Sequence, residues 1–412
     1  MTVHSVDIAI VGGGLMGAST ALLMANVLPD SRVALIEKQS FTITESNALQ
    51  SFDGRSTALA PTTIQVMQRL GAWQAMASQA TNIRAIQVSD QGHGGWVRLT
   101  EADNQQHNLG AVVDNQALGH ALVNAVQDNE RVQVIAPSQV TAIEQKRESV
   151  KLHLDGGSSL NAQLIIIADG ANSSLGSQLG IGYRVKEYHQ HALVANVAYE
   201  SKHCGVAYER FTRQGPMALL PLGGDHSRTS ALVWTWPSAQ IDEAMGFSDD
   251  AFLRRLQREF GPRLGRFTAV SRRASYPLQL SVAQEQVRSR LVMMGNAAHF
   301  LHPVAGQGFN LALRDALRLA EVLQQAPAQS LGELQWLQSY EQRQRQDQQR
   351  TIELSDGFNR AFGSDHPVYQ GMRNLAMLAV EHSSWVRSGF IRQMSGRASA
   401  QANPWRAIPN GA

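Results

Sequence analysis

Three consecutive glycines, Gly12-Gly13-Gly14, followed by Leu15-Met16-Gly17, interrupt an apolar stretch near the N-terminus. Before them, residues 6–11 (Val-Asp-Ile-Ala-Ile-Val) are mostly apolar and β-branched, as in a strand buried on both faces. After them, residues 18–28 are rich in Ala, Leu and Met and favour helix, and residues 32–37 read as a second buried strand. Strand, G-x-G-x-x-G turn, helix and strand, with an acid 20 residues after the last glycine, make a βαβ unit suited to a dinucleotide. Each position has a task. Gly12 permits the tight turn, Gly14 lets backbone approach a pyrophosphate, and Gly17 lets helix pack on strand. The helix start then turns unpaired N–H groups toward phosphate, and Glu37 can accept a ribose hydroxyl. A membrane segment is the competing reading, because residues 8–29 carry no charge. The glycines and the lack of a basic flank argue against it.

A chain of 412 residues has room for two domains, each with its own core. The net charge is +2 with 17% charged residues, which implies no broad basic face and no nucleic-acid partner. Cys204 is the one cysteine, so an intrachain disulfide, a cysteine-held iron–sulfur cluster and a four-cysteine zinc site are excluded. The absence of a secretory signal leads us to expect a cytoplasmic protein.

Further along, Phe52-Asp53-Gly54-Arg55-Ser56 is a turn that presents an arginine, either to a phosphate or flavin or merely to solvent. Residues 83–99 read as a hairpin around Gly92, residues 115–127 as a helix and 132–135 as a strand. A meander follows, its last strand at 164–168 leading into Asp169-Gly170. Between 185 and 236 several strands succeed each other with turns, an antiparallel pattern that marks a second domain. The apolar strand at 291–295 returns the chain to the first. Gly306-Gln307-Gly308 then opens a helix over 310–325, a second site for partial negative charge. Residues 335–352, rich in Gln and Arg, read as a solvated helix.

Gly295-Asn-Ala-Ala-His299, Pro303, Gly306-Gln307-Gly308, Asn310 and Asp315 form a spaced motif that resembles the second flavin motif of class A flavoprotein monooxygenases. Asp169-Gly170 is similar to their middle motif, and the glycine turn with Glu37 to their first. Residues 302–310 look most like the ubiquinone-biosynthesis hydroxylases. Residues 52–59 and 209–221 look like the 2-octaprenyl-6-methoxyphenol hydroxylase branch. The resemblance spans about residues 5–365. It implies an α/β fold: a Rossmann-like FAD-binding domain with a second α+β domain on an antiparallel sheet, as in p-hydroxybenzoate hydroxylase. We expect the first from 1–75, 100–184 and 272–365, the second from 76–99 and 185–271, and a helical tail over 366–412.

The resemblance further implies FAD as cofactor and NAD(P)H as a visiting reductant. O2 would be taken to a flavin C4a-hydroperoxide that attacks the ring of a polyprenylphenol in ubiquinone biosynthesis. Expected cofactor contacts are Gly12, Gly14, Gly17, Glu37, Arg55, Asp169, Asn296, Pro303, Gly306, Gln307, Gly308 and Asn310. Pro303 and Gln307 would line the active site. Asn115, Gly176 and Asn296 depart from the family, which more often has Arg, Arg and Asp there. No general base can be named. Tyr208 and Arg210 share one strand face and are candidates for lining, with Glu209 on the other face. His299 and His302 lie three apart, but no third ligand clusters nearby, so no metal is expected; His189 and His191 share one strand face and read as a solvated pair rather than a proton relay. Alternatives remain open: a sister hydroxylase for another ring position, a flavin-dependent prenyl reductase, and a non-enzymatic scaffold in a ubiquinone-biosynthesis complex. In the tail, an apolar helix face with flanking Arg373 and Arg387 allows either packing on the flavin domain or peripheral contact with the inner membrane.

Overall fold

The computed structural model describes residues 3–41, 55–91, 96–103, 109–301 and 306–362, and beyond them 387, 389, 391 and 402–407. Val3–Val11 is the middle of the first sheet, parallel to Ser159–Ile167 on one side and to Val33–Ile36 on the other. Val132–Ile135 extends the sheet past Val33–Ile36, and Leu291–Met293 pairs parallel with Ile165 to Ile167. Buried on both faces, these strands are almost continuous runs of Val, Ile, Leu and Ala. The strand expected from 164 begins at Ser159. Its first half also pairs antiparallel with Val150–Leu154, which the apolar run alone does not reveal. Helix Leu15–Val27 is nearly all buried, with Asn115–Gln127 and Gln307–Leu323 contributing to the same core.

Among the described residues the second sheet has nine strands. Its backbone is Tyr183–Tyr199, flanked by Thr229–Pro237 and Ala274–Ala283, both antiparallel to it. Pro216–Leu222 and Val206–Phe211 continue the order, and Ala85–Asp90 with Trp96–Thr100 completes that edge as the expected hairpin. Side chains alternate between faces, and the two faces differ. Leu193, Leu219, Leu232 and Trp234 pack under Phe252, Leu256 and Phe260 of helix Asp249–Phe260. On the other face Val194, Ala218, Leu220 and Val233 stay only half-buried. A bulge between Glu187 and Gln190, with His189 at φ +52°, breaks the face that His189 and His191 were expected to share.

A three-stranded sheet (Ser56–Leu59, Ala111–Asp114, Thr81–Asn82) joins the two. Ala58 from it packs with Ile83, Val112, Ala207 and Leu220 in one apolar cluster.

Helix Leu334–Phe362 corrects the expectation of a solvated element. Leu337, Tyr340, Gln344, Asp347, Thr351 and Ser355 form a buried face. Its charged and amide groups are paired: Asp347 with Arg314 at 2.7 Å, and Gln344 Nε2 with Asp315 at 2.6 Å. Polar composition hides such a face because hydrogen bonding, not apolarity, makes it buriable. Of the tail, Ile391 is buried against Val97 and Leu99, so this point of it packs on the second sheet. Arg387 pairs with Asp103 at 3.0 Å.

Candidate cofactor and substrate site

The glycine turn is closed by contacts that leave no room for side chains. Gly12 has φ +102°, and a Cβ on it would stand 2.5 Å from the Ala168 carbonyl oxygen. A Cβ on Gly17 would stand 1.7 Å from the Gly12 carbonyl oxygen, so the helix presses on the turn itself rather than only on the strand. Gly14 is the exception: nothing lies within 4 Å of its Cβ position. It therefore faces open space at the helix start, where an approaching phosphate would meet backbone N–H groups.

Glu37 is buried, and its Oε2 accepts from the Gly13 N–H at 2.5 Å while Oε1 accepts from the Gln39 N–H at 2.9 Å. This carboxylate therefore pins the glycine turn in addition to any ribose contact, a second task that the motif does not disclose. Asp169 adjoins the turn, its Cα 2.9 Å from where a Gly12 Cβ would be. Burial pushes its carboxyl above the usual range, with a Ser173 hydrogen bond partly offsetting. Its Oδ1 is buried without a hydrogen-bond partner among the described residues. Such an orphaned acceptor fits a ligand that brings a donor.

Gly295, at φ +62°, lies against Met16 in the first turn of helix Leu15–Val27 and delivers Asn296, which is exposed, to the same end of the first sheet. At Gly176 a Cβ would stand 2.7 Å from the Tyr183 hydroxyl and 3.1 Å from Met293 Cε, which explains why no arginine occupies this position. Asn115 Oδ1 accepts from the Thr57 hydroxyl at 2.6 Å, beside Arg55, whose carbonyl takes the Asn115 N–H. The exposed Arg55 guanidinium stacks on Tyr276 of the second sheet, 4.8 Å from the ring centre.

Gly306 caps helix Gln307–Leu323 in a left-handed conformation, φ +60°, against Ala58. Gly308 faces open space. Pro303, expected at the reacting edge, and His302 lie outside the described residues. Asn310, expected among the cofactor contacts, is corrected to a positioning residue. Its Oδ1 accepts from Ala60 N–H at 2.9 Å and Thr63 O–H at 2.7 Å, and its Nδ2 donates to the Ala58 and Gly306 carbonyls at 2.9 and 2.8 Å. Both donors and both lone pairs of the amide are engaged. His299 Nε2 pairs with Asp315 Oδ2 at 2.5 Å, both side chains fully buried. Asp315 also accepts from Gln344 and Gln348, which ties the motif to helix Leu334–Phe362.

Tyr208 and Arg210 are also corrected. Tyr208 packs edge-on against Phe260 at 5.4 Å, and Arg210 Nε donates to the Glu259 carbonyl at 2.7 Å. Both therefore belong to the helix-covered face of the nine-stranded sheet. Glu209 takes the opposite face, with Ala207, toward Ala58 and the Gly306 turn. Strand alternation already separated these residues in the sequence; which face the helix covers did not follow from it.

The comparisons agree with this geometry. A family model described as FAD binding domain matches residues 5–355. The chain is 32% identical to "Ubiquinone hydroxylase UbiL" of Rhodospirillum rubrum, covering 98% of this chain and 92% of that protein. It is 29% identical to the 3-demethoxyubiquinol 3-hydroxylase of Escherichia coli, over 96% of this chain and 100% of the relative. In fold it resembles p-nitrophenol 4-monooxygenase PnpA from Pseudomonas putida, with TM-score 0.77 at 18% identity, covering 97% of this chain and 100% of that one. The two-sheet fold and the cofactor expected from the sequence are thereby borne out: this chain belongs to the FAD binding domain family, and its cofactor is FAD.

Proposed function

We propose that this protein is an FAD-dependent monooxygenase that hydroxylates the aromatic ring of a polyprenylphenol intermediate in ubiquinone biosynthesis. One observation carries the reading beyond FAD binding. The Gly306 turn and the half-buried apolar face of the nine-stranded sheet meet at Ala58, so an apolar ring on that face adjoins the expected flavin edge. The names of the two relatives support the pathway. Bound FAD would supply the redox chemistry, taking electrons from NAD(P)H and passing them to O2.

The protein's own residues bind and orient. Gly12, Gly14 and Gly17 shape the phosphate turn, Glu37 holds that turn and meets ribose, and Asp169 and Asn296 supply polar contacts beside it. Arg55, Pro303 and Gly306-Gln307-Gly308 serve the ring end, where the helix start favours negative charge on the reduced flavin. The proposed domains are 1–75, 100–184 and 272–365 for FAD and 76–99 with 185–271 for substrate; the two sheets favour such a division, but Ala274–Ala283 pairs within the second sheet, so the boundary expected at 272 moves past residue 283. A polyprenyl chain is lipid-soluble, so we add peripheral membrane contact. No helix among the described residues is long and apolar enough to cross a bilayer.

Profiling quinone intermediates in cells lacking this protein tests the reading and names the ring position. A polyprenylphenol one hydroxyl short of its successor should accumulate. It should disappear when the wild-type chain is restored, but not with Gly14→Val. An unchanged intermediate profile would sink the proposal. Accumulation of species differing only in prenyl saturation would instead indicate a prenyl reductase.

A further inference from the structure

We propose that Glu209 is the acid–base residue that meets the ring hydroxyl of the substrate, an inference that rests on the aromatic-hydroxylase reading. The placement follows from register. Glu209 lies opposite Ala218 on one neighbouring strand and Val88 on the other. Val233 and Val194 continue the same row across the sheet. This row is apolar and, apart from Glu209, carries no polar side chain. Ala207, two residues earlier on the same face, packs with Ala58, which the Gly306 turn touches. One strand repeat, about 6.6 Å, therefore separates Glu209 from the residues that adjoin the flavin turn.

A lone carboxyl in such a row has no structural task. Among the described residues no hydrogen bond or ion pair reaches it, and desolvation is the one influence on its titration. Other charged groups toward this face are Asp90 at the end of the adjacent strand, Arg55 stacked on Tyr276, and the Arg387–Asp103 pair beyond the hairpin. None of them pairs with Glu209. Burial pushes the carboxyl up to about 8, so it changes charge near neutral pH, where a general base is most effective.

The step is a proton transfer. The phenolic O–H bond breaks, an O–H bond forms on the Glu209 carboxylate, and the negative charge moves to the ring oxygen. No electrons are gained or lost. The ring thereby becomes more nucleophilic at the positions ortho and para to that oxygen.

The test uses the FAD-loaded enzyme, a 2-alkylphenol and its methyl ether, with binding read by quenching of flavin fluorescence. Above pH of about 8 the carboxylate accepts from the phenol but finds no proton on the ether. Wild type should then prefer the phenol by about tenfold or more, the range for a hydrogen bond to a charged group. At about pH 6 the preference should shrink to roughly threefold or less, since Glu209 is protonated. Glu209→Leu should bind both probes alike at both pH values. Glu209→Gln, nearly isosteric, should show a preference that no longer changes with pH. A wild type indifferent to the ether substitution, or a leucine variant that keeps the pH-dependent preference, overturns the assignment. The hydroxylase reading fails by a different sign: wild type that binds the phenol but forms no NAD(P)H- and O2-dependent product.

Discussion

The two glycine turns are proposed to perform one electrostatic task, and they are held by different means. Each opens a helix whose first N–H groups have no intrahelical acceptor. The turn at Gly12 is held by the absence of side chains: Gly12 and Gly17 interlock through backbone atoms, and Glu37 pins Gly13 from outside. The turn at Gly306 is held by the presence of one side chain, Asn310, whose amide links the helix to Ala58, Ala60 and Thr63. The first is rigid by exclusion and the second by hydrogen bonding. A backbone lock tolerates almost no substitution, whereas a side-chain staple can be removed at a finite cost.

That contrast sets an order of expected effects on stability. Gly17→Val should be the most severe, because its Cβ would collide with the Gly12 carbonyl oxygen at 1.7 Å and neither backbone can yield. A loss above about 4 kcal/mol, read as an absent or strongly lowered thermal transition, is expected. A Gly17→Val protein melting like wild type would break the account of the first turn. Asn310→Leu removes four hydrogen bonds at once. Urea unfolding should show a loss of about 3 kcal/mol, each orphaned partner costing about 1 kcal/mol with some regaining water. An unchanged midpoint would mean that apolar packing, not the amide, holds the second turn.

Gly306→Ala places a methyl group at φ +60° and 3.3 Å from Ala58 Cβ. About 1–2 kcal/mol of destabilisation is expected, with weaker flavin binding in equilibrium dialysis. Gly14→Val should have the smallest effect on the apoprotein, within about 0.5 kcal/mol. Its φ of −66° and ψ of −174° suit any residue, and the space beyond is open. The same variant should purify colourless, since the valine occupies the space a pyrophosphate needs. A yellow, stable Gly14→Val protein would move the phosphate site elsewhere.

The first turn was legible in the sequence because backbone exclusion writes itself as glycine at fixed spacing. Helix Asn115–Gln127 and strand Val132–Ile135 were legible for a similar reason: their periodicity is local. What escaped was set by partners distant in the chain. Asn310 reads as a motif residue, and only its neighbours across some 250 positions show that it faces the protein. Tyr208 and Arg210 were correctly put on one face, yet helix Asp249–Phe260 decides which face is covered. The buried side of Leu334–Phe362 escaped because its inward residues are Gln, Asp, Thr and Ser, which no apolar period marks.

Leu291–Met293 completes the parallel sheet beside Ile165 to Ile167, although roughly 120 residues separate the two strands. On a ribosome adding about 5–20 residues per second, that gap lasts on the order of 6–25 seconds. Throughout it the upper half of Ser159–Ile167 presents an unpaired, wholly aliphatic edge. The growing chain is therefore most prone to mispairing with its neighbours while the second sheet is being synthesised, before any cofactor can be enclosed. Slow stretches of messenger between these two strands would prolong that exposure, and the yield of soluble protein should fall as they are introduced.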